Sequence, residues 1–588
     1  MATALGNARP TAAQDRPACS CAELQAGSPA DARFQSIYSA EWAWRQHQFA
    51  DDEDSVGSHI SPDLPDVSEM AQQKRLARWQ AVEGQIDAID RSKLSPADQI
   101  NYDVYKAQIE VLINQQKFKD YQRPLNADTS FWGNLASTAR RTFSTEQDYR
   151  SYISQLNEFP RYFGQQIANM RGGLARGFTP PKVTLQGRAD TVTSVTDIAR
   201  PEDSIFYKPF ETRPASIPAA MQAKLRAAGV KAIELSVILE HKTLLTFLRD
   251  DYIPHAQPSI HAYDLPDGKA YYQAKIKEFT TLDLTPGQIH QIGLEQVAMI
   301  RAEMLQTMTD AGFKGTFPEF LTFLRTDPQF YARTPQELLN DAAWIAKEFD
   351  GVSSKWFGHL PRRRFAIVPV PADIAPYYTS GRGGPGIYLV NTYDLPARPL
   401  YALPALTLHE SAPGHAFQMP LAAENRDLPA FRRDTYISAY GEGWAVYCEK
   451  LGQEMGIYKT PYQRFGMLSY QMWRAARLVV DTGIHTMGWS REQAQQYLHD
   501  NTALADHEIQ TEVDRYIAWP GQALSYYLGE MAIVQDRAKA EKALGPKFDI
   551  RAFHDTVLQM GSVPLPVLNT RVDRFIADGG VGPYPNEE

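Results

Sequence analysis

The sequence predicts a mainly α-helical protein with a small β-sheet beside a candidate catalytic helix, arranged as two lobes around a cleft. Three observations predict it. Apolar residues recur at helical spacing over most of the stretch from Phe34 to Phe349. Two short β-like runs appear only after Leu360. A chain of 588 residues with 11% aromatics has enough apolar material for more than one core.

In chain order, the expected division is a flexible leader over 1–33, a helical scaffold over 34–350 and a catalytic lobe over 351–588. The stretch Met1–Ala30 is rich in Ala, Pro, Gly and Ser and lacks the basic start and apolar run of an intact export signal. An exported protein, periplasmic or secreted, whose signal has been removed ahead of this leader is the expectation. A cytoplasmic protein with a frayed terminus is the alternative. Cys19, Cys21 and Cys448 cannot build a disulfide framework.

In the scaffold, Tyr102, Tyr105, Ile109, Leu112 and Ile113 share one helical face. Turn-forming runs at Gly177–Pro181 and Pro266–Gly268 separate such helices. Beyond Leu360, Phe365–Val370 and Gly386–Asn391 read as strands, and Ser380–Pro385 between them reads as a glycine-rich turn. That turn lacks the following helix and Lys of a phosphate loop. A formal net charge of -9 without a long basic run gives no electrostatic reason to bind nucleic acid. The apolar stretch Met467–Met487 is interrupted by Arg474, Arg477 and Asp481, too polar to span a bilayer.

The chemistry gathers at His409-Glu410-Ser411-Ala412-Pro413-Gly414-His415. Two neutral imidazoles and a carboxylate able to take a proton from a metal-activated water are what a hydrolytic zinc site needs. The two histidines are six residues apart, however, and about 120° off a common face of a regular helix. Pro413 cannot donate to the carbonyl of His409 and clashes with it, so a bulge or break is expected there. Gly414 then lets the chain return His415 beside His409. A His-Glu pair capping an ordinary helix is the competing reading.

A third ligand would come from Ser438–Glu449, where Glu442 and Glu449 share a helical face. Glu442 is preferred because Gly441 and Gly443 clear space around it, leaving Glu449 to support a ligand or to face solvent. Downstream, Arg474, Arg477, Asp481 and His485 form a polar stripe on an apolar helix, which suits either an internal ion-pair ladder or the wall of a wet cleft. Arg477 and His485 lean towards the second. In the last informative segment Pro520 is expected to begin a helix. There Tyr526 is a candidate donor to a developing oxyanion, and Arg515 a candidate partner for a substrate carboxylate.

At these motifs the sequence resembles a bacterial family known as domain of unknown function 885, which is grouped with zincin metallopeptidases. The resemblance rests on HESAPGH at 409–415, GEGWAVYCE at 441–449, RLVVDTGIHTMGWS at 477–490 and EVDRYIAWPGQALSYYLG at 512–529. LSPADQINYDVYKAQIE at 94–110 and NMRGGLARGFTPPKV at 169–183 are also similar to it. It implies a helical zincin fold, zinc held by His409, His415 and Glu442, and Glu410 as general base. Relatives often carry His after the second motif histidine, where this chain has Ala416.

The expected function is zinc-dependent hydrolysis of peptide bonds in short peptides. Tyr526 or His485 would steady the oxyanion, and Arg477 or Arg515 would hold a terminal carboxylate. Tyr388 and Asn391 lie on a strand expected to pair with the extended peptide. Zinc-dependent hydrolysis of esters or non-peptide amides, or peptide binding without turnover, are the rivals.

Overall fold

The computed structural model describes residues 28–49, 60–127, 129–372 and 374–585. Helices dominate, and many start where the sequence supplies a cap followed by proline. Ser95 accepts from the Asp98 N–H ahead of Pro96–Phe118, and Thr460 accepts from the Gln463 N–H ahead of Pro461–Met487. That second helix stops at Gly488, whose φ of 73° supplies the left-handed residue a helix C-terminus favours. Of the face read at Tyr102 to Ile113, only Leu112 is not fully buried.

The leader begins to fold earlier than expected. Ser28 caps a helix over Pro29–Arg45, so residues 29–33 are helical, while 1–27, with Cys19 and Cys21, lie outside the described residues. Two of the three buried cores draw on both sides of residue 350, where the lobe boundary was expected. Phe34 and Tyr105 share one with Tyr388, Trp444 and Phe575, and Tyr272 and Ile300 share another with Met472 and Tyr516. The third core is confined to residues 60–256. No helix among the described residues is long and apolar enough to cross a membrane.

The sheet has three strands, β1 (Ala366–Pro369), β2 (Gly381–Gly384) and β3 (Ile387–Val390), in the order β1-β3-β2. β1 runs parallel to β3, pairing Ala366 with Ile387, and β2 runs antiparallel to it, pairing Gly384 with Ile387. Two expectations are corrected here. The segment read as a turn is itself a strand, with the reversal confined to Pro385-Gly386, where Gly386 has φ of 91°. β3 is therefore the central strand, its backbone taken on both sides, and it cannot receive a peptide. The outer strand beside the candidate site is β2.

Candidate metal centre

His409 lies in the last turn of the helix Leu403–Glu410, and His415 opens the next helix, His415–Glu424. The break expected at Pro413 is present, and it separates two helices rather than bulging one. The Gly414 N–H donates to the Leu408 carbonyl at 3.0 Å, folding the connection back on the helix it leaves. A Cβ on Gly414 would fall 1.8 Å from the His409 carbonyl oxygen, so only glycine permits this return. The imidazoles end 4.9 Å apart, centre to centre, at 88°.

Glu442 reaches them from the helix Ser438–Glu454. Its Oε2 lies 3.4 Å from the Nε2 of His409 and 3.4 Å from the Nε2 of His415. Tyr436 donates to the other oxygen of Glu442 at 2.9 Å. Glu449, fully buried two turns further on, takes the Nδ1 side of His409 at 2.7 Å, which leaves Nε2 directed at the common point. His415 Nδ1 is buried without a hydrogen-bond partner. Burial alone would depress the His409 pKa, but the carboxylates of Glu442 and Glu449 outweigh it and raise it to about 10. Burial would likewise raise Glu442, yet His415 and His409 hold it well below the usual carboxylate range. Donors that hold a proton this firmly are suited to a cation, whose uptake would release that proton.

Glu410, half-buried, accepts the Gly383 N–H of β2 at 2.6 Å. The potential ligand atoms of His409, Glu410 and His415 all lie within 4.8 Å of one another, a group able to hold a metal ion. A Cβ on Gly383 would sit 1.6 Å from the Glu410 carbonyl oxygen, so the glycine lets the strand press against the helix end. The residues flanking Glu442 have another use than the one expected of them. Gly441 is covered by the Tyr436 ring, and Gly443 meets Gly529 where two helices cross.

All of this opens on a cavity of about 3150 Å³, lined by both histidines, Glu410, Glu442 and Tyr526. A model described as "Bacterial protein of unknown function (DUF885)" matches residues 52–572. The chain belongs to the DUF885 family. A crystal structure from Colwellia psychrerythraea, described as a putative lipoprotein, is 27% identical with a TM-score of 0.84, covering 93% of this DUF885 chain and 99% of that one. A solved structure from Shewanella oneidensis, described as a putative lipoprotein of unknown function, is 17% identical with a TM-score of 0.68 over 92% and 99% of the two chains, and shows the fold alone. No curated protein matches the chain.

Other candidate residues of this DUF885 protein fall into two groups. Tyr526 stands at the centre, its ring 6.4 Å from that of His409 and nearly parallel. Arg477 and Arg515 line the cavity, but both face Glu512, at 2.8 and 3.7 Å. His485, Tyr388 and Asn391 lie elsewhere. His485 is fully buried, accepting the Ala262 N–H on Nδ1 and meeting the Tyr516 carbonyl on Nε2, and burial pushes its pKa down to about 3. It cannot reach a substrate. Tyr388 is buried against Thr407, and the Asn391 amide is spent on the carbonyls of Ala375, Tyr378 and Thr379. These three are corrected to structural roles. Sequence reasoning missed Gly383 and Tyr436, and the only signal for the first was a glycine run too long for the turn it was assigned to.

Proposed function

We propose that this DUF885 protein is an exported zinc-dependent peptidase of zincin type, with the scaffold over 34–350 and the catalytic residues over 351–588 flanking the cleft. The observation that carries the proposal is the convergence of His409 Nε2 and His415 Nε2 on Glu442 Oε2, with the Glu410 carboxylate beside them at the cavity wall. Ligand atoms around 2.0–2.1 Å from a tetrahedral zinc are separated by roughly 3.4 Å. Both ligand separations formed by Glu442 are 3.4 Å. His409, His415 and Glu442 would hold the ion, which when bound would acidify a water and polarise a carbonyl.

The remaining work belongs to the chain. Glu410 takes the proton of the attacking water and returns it to the leaving amine. Its carboxylate is aimed for this by the Gly383 N–H. Tyr526 donates towards the oxyanion. The outer edge of β2 is the nearest strand edge to Glu410 and would align an extended peptide backbone, in the role first expected of β3. Export is supported by the description of the Colwellia psychrerythraea relative as a putative lipoprotein.

The test is metal analysis together with a panel of short peptides and simple esters. Expected are about one zinc per chain, cleavage of peptides, loss of turnover on chelation and its return with zinc. A zinc-loaded protein that hydrolyses esters alone would sink the peptidase reading.

A further inference from the structure

Three arginines face the cavity beside the metal centre, and their charges are not equally answered. Arg477 donates to Glu512 at 2.8 Å and to the Tyr516 hydroxyl at 3.0 Å. Arg515 stands 3.7 Å from the same Glu512. Arg474 shares its acid with a metal-ligand candidate. Its nearest carboxylate is Glu449, 3.6 Å away and already bound to His409 Nδ1 at 2.7 Å. Arg474 is only 4% exposed, and its Nε and Nη1 have no hydrogen-bond partner. Arg477 Nη1 is also buried and unpartnered.

Burying a guanidinium with unmet N–H groups is unfavourable, and an anionic ligand would answer them. Aromatic faces hold both guanidinium groups in place at the cavity wall. The Arg474 guanidinium carbon lies 3.8 Å from the centre of the Trp473 ring and 5.3 Å from that of Tyr526, and Arg477 lies 4.1 Å over Tyr526. Tyr526 is the same ring that stacks 6.4 Å from His409. The unpartnered N–H groups are thus one aromatic side chain away from the metal ligands, within reach of a residue or two of extended chain at ~3.3–3.6 Å each.

We propose that Arg474, assisted by Arg477, binds the free α-carboxylate of the peptide's C-terminal residue, which makes the protein a carboxypeptidase releasing one or two residues. This rests on the peptidase reading and deepens it. It also moves the leading part in carboxylate binding from Arg477 and Arg515, which both face Glu512, to the neighbour one turn earlier. Arg474 is a binding residue and takes no part in proton transfer.

The experiment compares Ala-Ala-Phe as free acid and as C-terminal amide, on the zinc-loaded parent, Arg474→Gln and Arg474→Lys. The parent should favour the free acid at least ~tenfold in kcat/KM, because a site built for an anion rejects the analogue lacking it. Arg474→Gln should raise KM for the free acid ~tenfold more than for the amide, and Arg474→Lys should restore part of the preference. Equal cleavage of acid and amide by the parent overturns the proposal, as does an equal loss of kcat on both in Arg474→Gln. If Arg474→Gln does not fold, the parent's acid-to-amide ratio decides alone. If no peptide is cleaved, the peptidase reading fails, and calorimetric binding of Ala-Phe and its amide to the parent judges the subsite separately. Tighter binding of the acid supports it, and equal binding rejects it.

Discussion

Two buried polar clusters in this chain are built from the same materials and end in opposite states. One surrounds His409, with Glu442 and Glu449; the other surrounds His485, with Asp481, Tyr272 and Tyr516. In the second, every group is answered by a neighbour. Tyr272 donates to Asp481 at 2.5 Å, the Gly521 N–H reaches both Asp481 oxygens at 3.2 Å, and both ring nitrogens of His485 are engaged. In the first, the Nε2 atoms of two histidines converge on one carboxylate oxygen beside a cavity, and His415 Nδ1 has no partner. Composition does not distinguish a structural cluster from a functional one. What distinguishes them is whether the donors and acceptors cancel internally.

The largest test of that contrast is Glu410→Gln. Turnover should fall by roughly 10²–10⁴-fold with zinc retained, as expected for loss of a general base alone. Loss of zinc together with activity would instead make Glu410 a ligand. Next comes Glu449→Gln, which should weaken zinc affinity by roughly 10–100-fold through its hold on His409. His485→Ala provides the control, and competition with a chelator should show its zinc affinity equal to that of the parent. That same substitution leaves the Ala262 N–H and the Tyr516 carbonyl without their partner, so denaturant unfolding should show a loss of about 1–3 kcal/mol. Unchanged stability would mean the second cluster is not structural.

A last test concerns pH. Burial lifts the Asp481 carboxyl to about 7, against the pull of its Tyr272 and Gly521 donors. A carboxyl raised in the folded state binds its proton there while the unfolded chain has lost it. Stability from this group is therefore full below the unfolded value near 4 and is lost as pH rises through about 7. Asp481→Asn should flatten that part of the stability profile, and an identical slope in both proteins would place the titration elsewhere.

Much of this was legible in the sequence because it lies in periodicity and in local chain breakers. The helical faces, β1 and β3 and the break at Pro413 all follow from neighbours within a few residues. β2 was not legible, since Gly-Arg-Gly-Gly has no alternation of side chains and its strand character comes from pairing with β3. The polar stripe on Pro461–Met487 was visible, but its division was not. Arg474 and Arg477 reach the cavity while Asp481 and His485 are sealed by residues from 262–272 and 516–521, distant segments whose approach no local spacing announces.

One hydrogen bond ties the ligand set together before any ion arrives. The Trp444 indole N–H donates to the Pro413 carbonyl at 2.8 Å, fastening the helix of Glu442 to the link between the two histidines. The three proposed ligands are thereby moored to one another by protein alone. Uptake of a metal by this group would then be expected to leave the surrounding fold unchanged. A pulse of hydrogen exchange on the metal-free protein should find the amides around Trp444 as slow as in the loaded one.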